Sequence, residues 1–314
     1  MNHHTHLKGL IAAPFTPMLH DGSIHVEAIP GYYDLLKNNG ITGAFICGST
    51  GEGVSLSLEE KKQVIDAWSC LTSKDKDFCL MVLVGGNCLA ECKALASYAE
   101  EKGCDAISFT SPSYFKPANV KALSVMCGEI AQAAPSIPLY YYHIPVLTGA
   151  NFSMLNLLQE VNHSIPNFAG IKYTHEDFMD FLSCLHFENG KYDMLWGRDE
   201  NMLAALALGA KGSVGSTFNY IAPVYHQLIQ SFESGDLETA RQWQQISIDL
   251  IMLLGKYGGI STGKAFMKLF GLDCGEFRLP ATNMSQQQFD IFAEEAKNKG
   301  FFQYCSKIEK EAFA

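Results

Sequence analysis

Eight short apolar runs recur along the first 217 residues, and each leads through a polar loop into a stretch of helical character. The runs are GLIAAPF (9–15), GAFICGS (43–49), CLMVLVG (79–85), AISFTSP (106–112), PLYYYHIP (138–145), AGIKYT (169–174), DMLWGRD (193–199) and GSVGST (212–217). Each has the length of a strand and is punctuated by Gly, Pro, Ser or Thr, so each reads as a buried strand. Between them lie segments such as LEEKKQVIDAWSCL (58–71), with Ser57 as N-cap and Glu60 placed to complete a capping box. Another is 88–102, where Leu89, Cys92, Leu95, Ala96 and Ala99 recur at helical spacing. Strands alternating with helices imply a parallel sheet. Eight such units in about 230 residues fit one closed barrel. An open doubly wound sheet is the alternative, but it would usually carry GxGxxG after its first strand, and here that loop is APFTPMLHDGS.

After Tyr220 helix follows helix, over about 221–233, 236–255, 259–270 and 285–299. The expected architecture is therefore α/β: a (β/α)8 TIM barrel over 7–233 with a C-terminal helical extension over 234–314. With about 80 residues, an independent second domain would have a thin core.

Composition narrows the function. A hydrophobic fraction of 47% and a charged fraction of 18% suit a soluble globular chain. The net charge of −10 argues against a nucleic-acid partner bound through a basic face. No apolar run approaches the roughly 18 residues a membrane span needs. The opening MNHHTHLKGL lacks a charged segment followed by an apolar one, so no signal peptide is expected. His3, His4 and His6 could bind a metal but read as loose terminal residues. The ten cysteines include no CxxC, and Cys47, Cys79 and Cys104 sit in apolar contexts. They read as reduced, mostly buried thiols of a cytoplasmic protein, and no His/Cys spacing supports zinc.

In a barrel of this kind the active site lies at the C-terminal ends of the strands. One such end carries a lysine, Lys172, inside the apolar run FAGIKYT. Burial disfavours an ammonium and lowers its pKa, and a neutral amine can attack a carbonyl to form a Schiff base. Snorkelling to the rim or pairing with a carboxylate would be the structural use of such a lysine. No acid lies within its own strand, which favours the chemical use. The loop GSTGEG (48–53) can cradle an anion with backbone donors and the Ser49 and Thr50 hydroxyls. It lacks the lysine of a phosphate-binding P-loop, so a carboxylate suits it better. In YYYHIP, Tyr140 and Tyr142 share a face, and Tyr142, nearer the mouth, is placed to relay a proton. Tyr114 is a second candidate hydroxyl. Asp199 and Glu200 in GRDE could accept hydrogen bonds from a polyhydroxylated substrate, or could simply open the next helix.

These motifs carry a resemblance. GSTGE, YHIP followed by TG, the lysine of GIKYT and GSTFN, each on its own strand and in this order, resemble the N-acetylneuraminate lyase and dihydrodipicolinate synthase superfamily of pyruvate-dependent class I aldolases. The likeness runs from about residue 7 through the C-terminal helices and is strongest toward the lyase branch, in GSTGEGVSLS, YYYHIPVLTG and SVGSTFNY. It implies reversible aldol cleavage of N-acetylneuraminate to N-acetylmannosamine and pyruvate. Lys172 would form the Schiff base, Ser49 and Thr50 would hold the carboxylate, and Tyr142 would move the proton of the C4 hydroxyl. Thr174, Gly197, Asp199, Glu200 and Ser216 match positions that contact the sugar. Tyr114 matches a tyrosine that the synthase branch contributes across a subunit interface. The resemblance also implies a homotetramer and no metal or organic cofactor, because the imine itself withdraws the electrons. Three departures stand out. Leu147 occupies the place of the synthase arginine that binds the aldehyde's carboxylate, His143 replaces a common Asn, and Phe45 stands where bacterial lyases often have Tyr.

Overall fold

A computed structural model describes residues 6–308, so His3 and His4 lie outside the described residues. Eight parallel strands close into a barrel in chain order. They are β1 (Gly9–Ala12), β2 (Gly43–Ile46), β3 (Cys79–Leu83), β4 (Ala106–Thr110), β5 (Leu139–His143), β6 (Phe168–Tyr173), β7 (Asp193–Trp196) and β8 (Gly212–Gly215). Seven fall inside the apolar runs read from the sequence, and β6 begins one residue before its run, at Phe168. Closure comes from β1 against β8, in register from Gly9 opposite Gly212 to Ala12 opposite Gly215.

Helices α1 (Ile29–Asn38), α2 (Leu58–Thr72), α3 (Leu89–Glu101) and α4 (Val120–Ala133) follow the first four strands. After β5 come the single turn α5 (Pro145–Thr148) and α6 (Met154–Val161); α7 (Phe178–His186), α8 (Met202–Leu208) and α9 (Phe218–Glu233) complete the ring. Ser57 and Glu60 form the expected capping box at α2. The extension consists of α10 (Leu237–Tyr257), α11 (Thr262–Phe270), α12 (Gln286–Asn298) and the single turn α13 (Phe301–Tyr304). Among the described residues no helix is long and apolar enough to cross a membrane.

Strand alternation sorts the core into two layers. Residues such as Leu10, Ala12, Tyr141, Ile171 and Tyr173 face the helices, in one continuous cluster that also takes in Phe266, Phe292 and Phe301 of the extension. The alternate set, including Ile11, Phe45, Met81, Tyr140, Tyr142, Leu195 and Val214, fills the barrel interior. Lys172 lies between the outward-facing Ile171 and Tyr173 and so points inward, on the same strand face as Gly170, where a Cβ would stand 1.9 Å from the Asp193 carbonyl oxygen. All ten cysteines are free thiols and six of them are buried.

Candidate active site

Lys172 sits opposite Tyr142 in the β5–β6 register and is only 4% exposed. Its Nζ lies 3.9 Å from the centre of the Phe45 ring and 4.1 Å from that of Tyr142. Two aromatic faces favour a cation. The loss of water disfavours it more, and burial brings the amine down to about 7, against a smaller upward pull from Asp199. About half of such lysines carry a free amine at pH 7, against roughly one in three thousand at the ordinary value. No ion pair within 4.0 Å involves Lys172 among the described residues. The lysine is thus neither rim-seeking nor neutralised by direct contact.

Asp199, just past the end of the neighbouring β7, is the acid whose charge reaches it. Burial pushes its carboxyl up to about 6, while Thr217 holds it down with two hydrogen bonds. The Thr217 N–H donates to Oδ2 at 2.9 Å and the Thr217 hydroxyl at 2.7 Å. Behind Thr217 stands Tyr225, oxygen to oxygen at 2.6 Å. Of the two uses open to Asp199, its side chain does not cap the helix that follows. It crosses to the β8–α9 loop instead. Gly215 makes room for it, since a Cβ there would stand 2.2 Å from Oδ1. Glu200 is half-buried at the rim and accepts from Arg198 at 2.6 Å, an arginine that also pairs with Glu176 at 2.9 Å. Ser216, half-buried, begins the β8–α9 loop, and its carbonyl accepts from Asn219 Nδ2 at 2.7 Å.

The Tyr142 phenol is raised by burial, with the Ser49 and Thr174 hydroxyls pulling it back. The Ser49 and Thr174 hydroxyls therefore lie near the Tyr142 phenol. Thr174 Oγ1 is buried without a hydrogen-bond partner among the described residues, which leaves it free to donate to an incoming group. Gly197 is needed for that placement: a Cβ on it would stand 1.9 Å from Thr174 Oγ1. Gly197→Ala is expected to displace Thr174 and raise the KM for substrate about tenfold at little cost to folding, checked by steady-state kinetics beside a thermal melt.

The loop bearing Ser49 and Thr50 is shaped by unusual backbone. Cys47 and Glu52 both adopt left-handed conformations, with φ of 57°. Gly53 admits no side chain, because a Cβ would stand 1.8 Å from the Cys47 carbonyl oxygen. The Thr16 hydroxyl donates to the Gly51 carbonyl at 2.6 Å and ties the loop to the first strand's loop. Thr50 is buried and Ser49 half-buried.

Tyr114 lies on the loop after β4. It is 79% exposed and packs edge-on against the equally exposed Phe115. Leu147 is exposed on α5, and His143 is buried on the helix-facing side with neither ring nitrogen partnered among the described residues. Burial lowers the His143 imidazole to about 4. Tyr140 serves packing at the far end of the barrel, where its hydroxyl donates to Asp193 at 2.9 Å. Two clefts of about 410 and 860 Å³ are present, one between α8 and α10, lined in part by Glu200, and one between the β1–α1 loop and the extension. Lys172, Tyr142, Ser49 and Thr50 line neither.

Sequence reasoning passed over Thr217, Tyr225, Glu52 and Lys264. Glu52 and Lys264 form an ion pair at 2.8 Å with both side chains 3% exposed. One signal was present: in TGKAFMKLF the lysine at 264 falls on the face that Phe266 and Met267 bury.

The profile of the Dihydrodipicolinate synthetase family matches residues 6–299. The chain belongs to that family. Within it, the chain is 40% identical to N-acetylneuraminate lyase A of Xenopus laevis over 287 residues, 90% of this chain and 93% of the relative. It is 38% identical to the N-acetylneuraminate lyase of Homo sapiens over 304 residues, 95% and 94% of the two chains. Among solved structures, the Proteus mirabilis N-acetylneuraminate lyase superposes with a TM-score of 0.89 at 38% identity, covering 95% of this chain and all of the other. Membership of the Dihydrodipicolinate synthetase family accords with the closed barrel, its C-terminal helices and the buried lysine.

Proposed function

We propose that the chain is an N-acetylneuraminate lyase, a class I aldolase that reversibly cleaves N-acetylneuraminate to N-acetylmannosamine and pyruvate through a Schiff base on Lys172. The observation that carries this is a fully buried lysine, lowered to about 7, opposite a tyrosine flanked by two hydroxyls. The identity to N-acetylneuraminate lyases over nine-tenths of the chain supplies the substrate.

The free amine of Lys172 attacks the C2 ketone of the open-chain sugar. With one proton taken up, water leaves and an iminium remains. Tyr142 relays the proton of the C4 hydroxyl away as the C3–C4 bond breaks. The bonding pair moves into the iminium, giving a neutral enamine, and N-acetylmannosamine departs as the aldehyde. A proton then returns to C3, and water hydrolyses the iminium to pyruvate and restores the amine. The cleavage water equals the water lost at the start, so the sum is one sugar acid split into two products. Ser49 and Thr50 hold the carboxylate. Thr174, Asp199, Glu200 and Ser216 receive the sugar hydroxyls above it, and Gly197 keeps the space that Thr174 occupies.

Incubation with pyruvate and borohydride, read by mass spectrometry, tests the covalent step: one adduct on Lys172 is expected, and its absence would sink the reading. A parallel assay compares cleavage of N-acetylneuraminate with condensation of pyruvate and aspartate semialdehyde. Cleavage should dominate by at least about a hundredfold, because Leu147 cannot form a charge-assisted pair with the semialdehyde's carboxylate.

A homotetramer is part of the same proposal. Exposed Val54, Tyr114, Phe115, Val146 and Leu147 follow β2, β4 and β5 on the mouth side, a set of apolar side chains suited to a neighbouring subunit. Tyr114 would then act at a neighbour's mouth. A cytoplasmic location fits ten free thiols.

A further inference from the structure

We propose that Lys264 of the extension is a positioning residue for the carboxylate-binding loop: through Glu52 it fixes Ser49 and Thr50, so that pyruvate binding and the packing of α11 are coupled. The inference rests on the proposed function in one respect, that the substrate carboxylate binds at this loop.

Glu52 and Lys264 are 212 positions apart in the chain and meet at 2.8 Å. Every charge-bearing atom of the pair is engaged. Glu52 Oε1 accepts from Lys264, and Oε2 accepts from the Arg278 N–H at 2.7 Å. Lys264 also donates to the Glu276 carbonyl at 3.0 Å and lies 4.8 Å from the centre of the Phe277 ring. Both oxygens of one loop carboxylate are therefore held by α11 and the segment just after it. The Arg278 guanidinium continues the clamp, donating to the Ser55 carbonyl at 3.0 Å and to Glu60 at 2.9 Å.

The hold reaches the binding groups directly. The Glu52 N–H donates to the Ser49 carbonyl at 3.2 Å, and the Gly53 N–H to the Gly48 carbonyl at 3.0 Å. Ser49 and Thr50 lie inside the turn that these bonds close. Glu52 holds a left-handed backbone that a residue with a side chain seldom adopts unless its surroundings impose it. The pair anchors the side chain that this backbone presents. On the far side α11 lies flush against the first strand's loop, where a Cβ on Gly263 would stand 2.3 Å from the Phe15 ring.

A buried ion pair is a poor device for stability, because apolar residues of the same size often serve as well or better. It is a good device for placement, since a lysine–carboxylate contact fixed at both ends tolerates few geometries. It also solves an electrostatic problem. A bare carboxylate at Glu52 would repel an anion on the same loop, and Lys264 cancels that charge. Lys264 spends its donors on Glu52 and the Glu276 carbonyl. Its effect should therefore fall on the concentration of pyruvate needed and leave the maximal extent of Schiff-base formation alone.

The test uses the full-length protein and borohydride trapping across a range of pyruvate concentrations. In Lys264→Met, half-maximal trapping should need about tenfold more pyruvate, with the plateau within about twofold of wild type. Glu52→Gln keeps an acceptor for Arg278 and should shift in the same direction. Lys256→Met, which removes an exposed pair with Glu295 in the same extension, should not shift. Unchanged half-saturation in a folded Lys264→Met or Glu52→Gln protein overturns the proposal. A measurement on the wild type covers variants that fail to fold: pyruvate should slow amide exchange at least about threefold in 262–270 as well as in 47–53, because coupling between sites is reciprocal. Protection confined to 47–53 overturns it too. If wild type shows no trapping at all, the proposed function has failed, and that outcome is distinct from either.

Discussion

Lys172→Ala is expected to abolish borohydride-stabilised labelling by pyruvate and to lower N-acetylneuraminate cleavage by roughly 10⁵-fold or more, the scale at which an enzyme loses its nucleophile. The wild-type rate should fall with acid below about pH 7, where the amine takes up its proton. The same position should show a trade between activity and stability. Between about pH 7 and pH 10.5 the unfolded chain holds a proton on this lysine that the folded chain lacks, so stability rises with pH across that window. Below about 7 the folded chain bears the full cost of the buried charge. Lys172→Met, similar in length and apolar, should therefore be more stable than wild type, on the order of 1–4 kcal/mol at pH 6, with the gain shrinking toward pH 10. Urea melts at the two pH values read this directly. A variant less stable than wild type at pH 6 would mean that the lysine is solvated or paired.

Tyr142→Phe should lower kcat about 10²–10⁴-fold while pyruvate still traps on Lys172. The ring keeps its edge-on contact with Phe45 at 5.6 Å between centres, so the lysine's surroundings barely change. Only the oxygen between Ser49 and Thr174 is lost. Rapid-quench separation of imine formation from bond cleavage distinguishes the two steps. A variant that loses trapping in proportion to turnover would assign Tyr142 to building the site and not to moving a proton.

What could be read from the sequence follows from how local each signal is. A barrel strand is buried on both faces, so it announces itself as a compact apolar run, and all eight were visible. Lys172 was conspicuous for the same reason: a charge in such a run has no local excuse. Its partner acid was invisible as a partner, because Asp199 approaches from the end of β7 and is held by Thr217 from the end of β8. Glu52 could be seen only as part of a glycine-rich loop, and Lys264 only as one lysine in a helical tail. Their pairing depends on closure of the barrel and docking of α11, and leaves no pattern in either stretch. Tyr114 shows the converse. Its place after the fourth strand was legible, but its exposure and its contact with Phe115 were not.

The pairing of β1 with β8 has a consequence for how the protein comes into being. Gly9–Ala12 emerges from the ribosome among the first residues, yet one of its edges finds no partner until Gly212–Gly215 has been made. At bacterial-to-eukaryotic elongation speeds the interval is roughly 10–40 s for some 200 residues. Throughout it, an apolar strand and the open edge of a growing parallel sheet are available to the wrong neighbours. The segment that clasps the Ser49 loop arrives later still. Nascent chains halted before residue 212 should thus engage holding chaperones, and those halted between 217 and 260 should hold a closed barrel with a loose substrate loop.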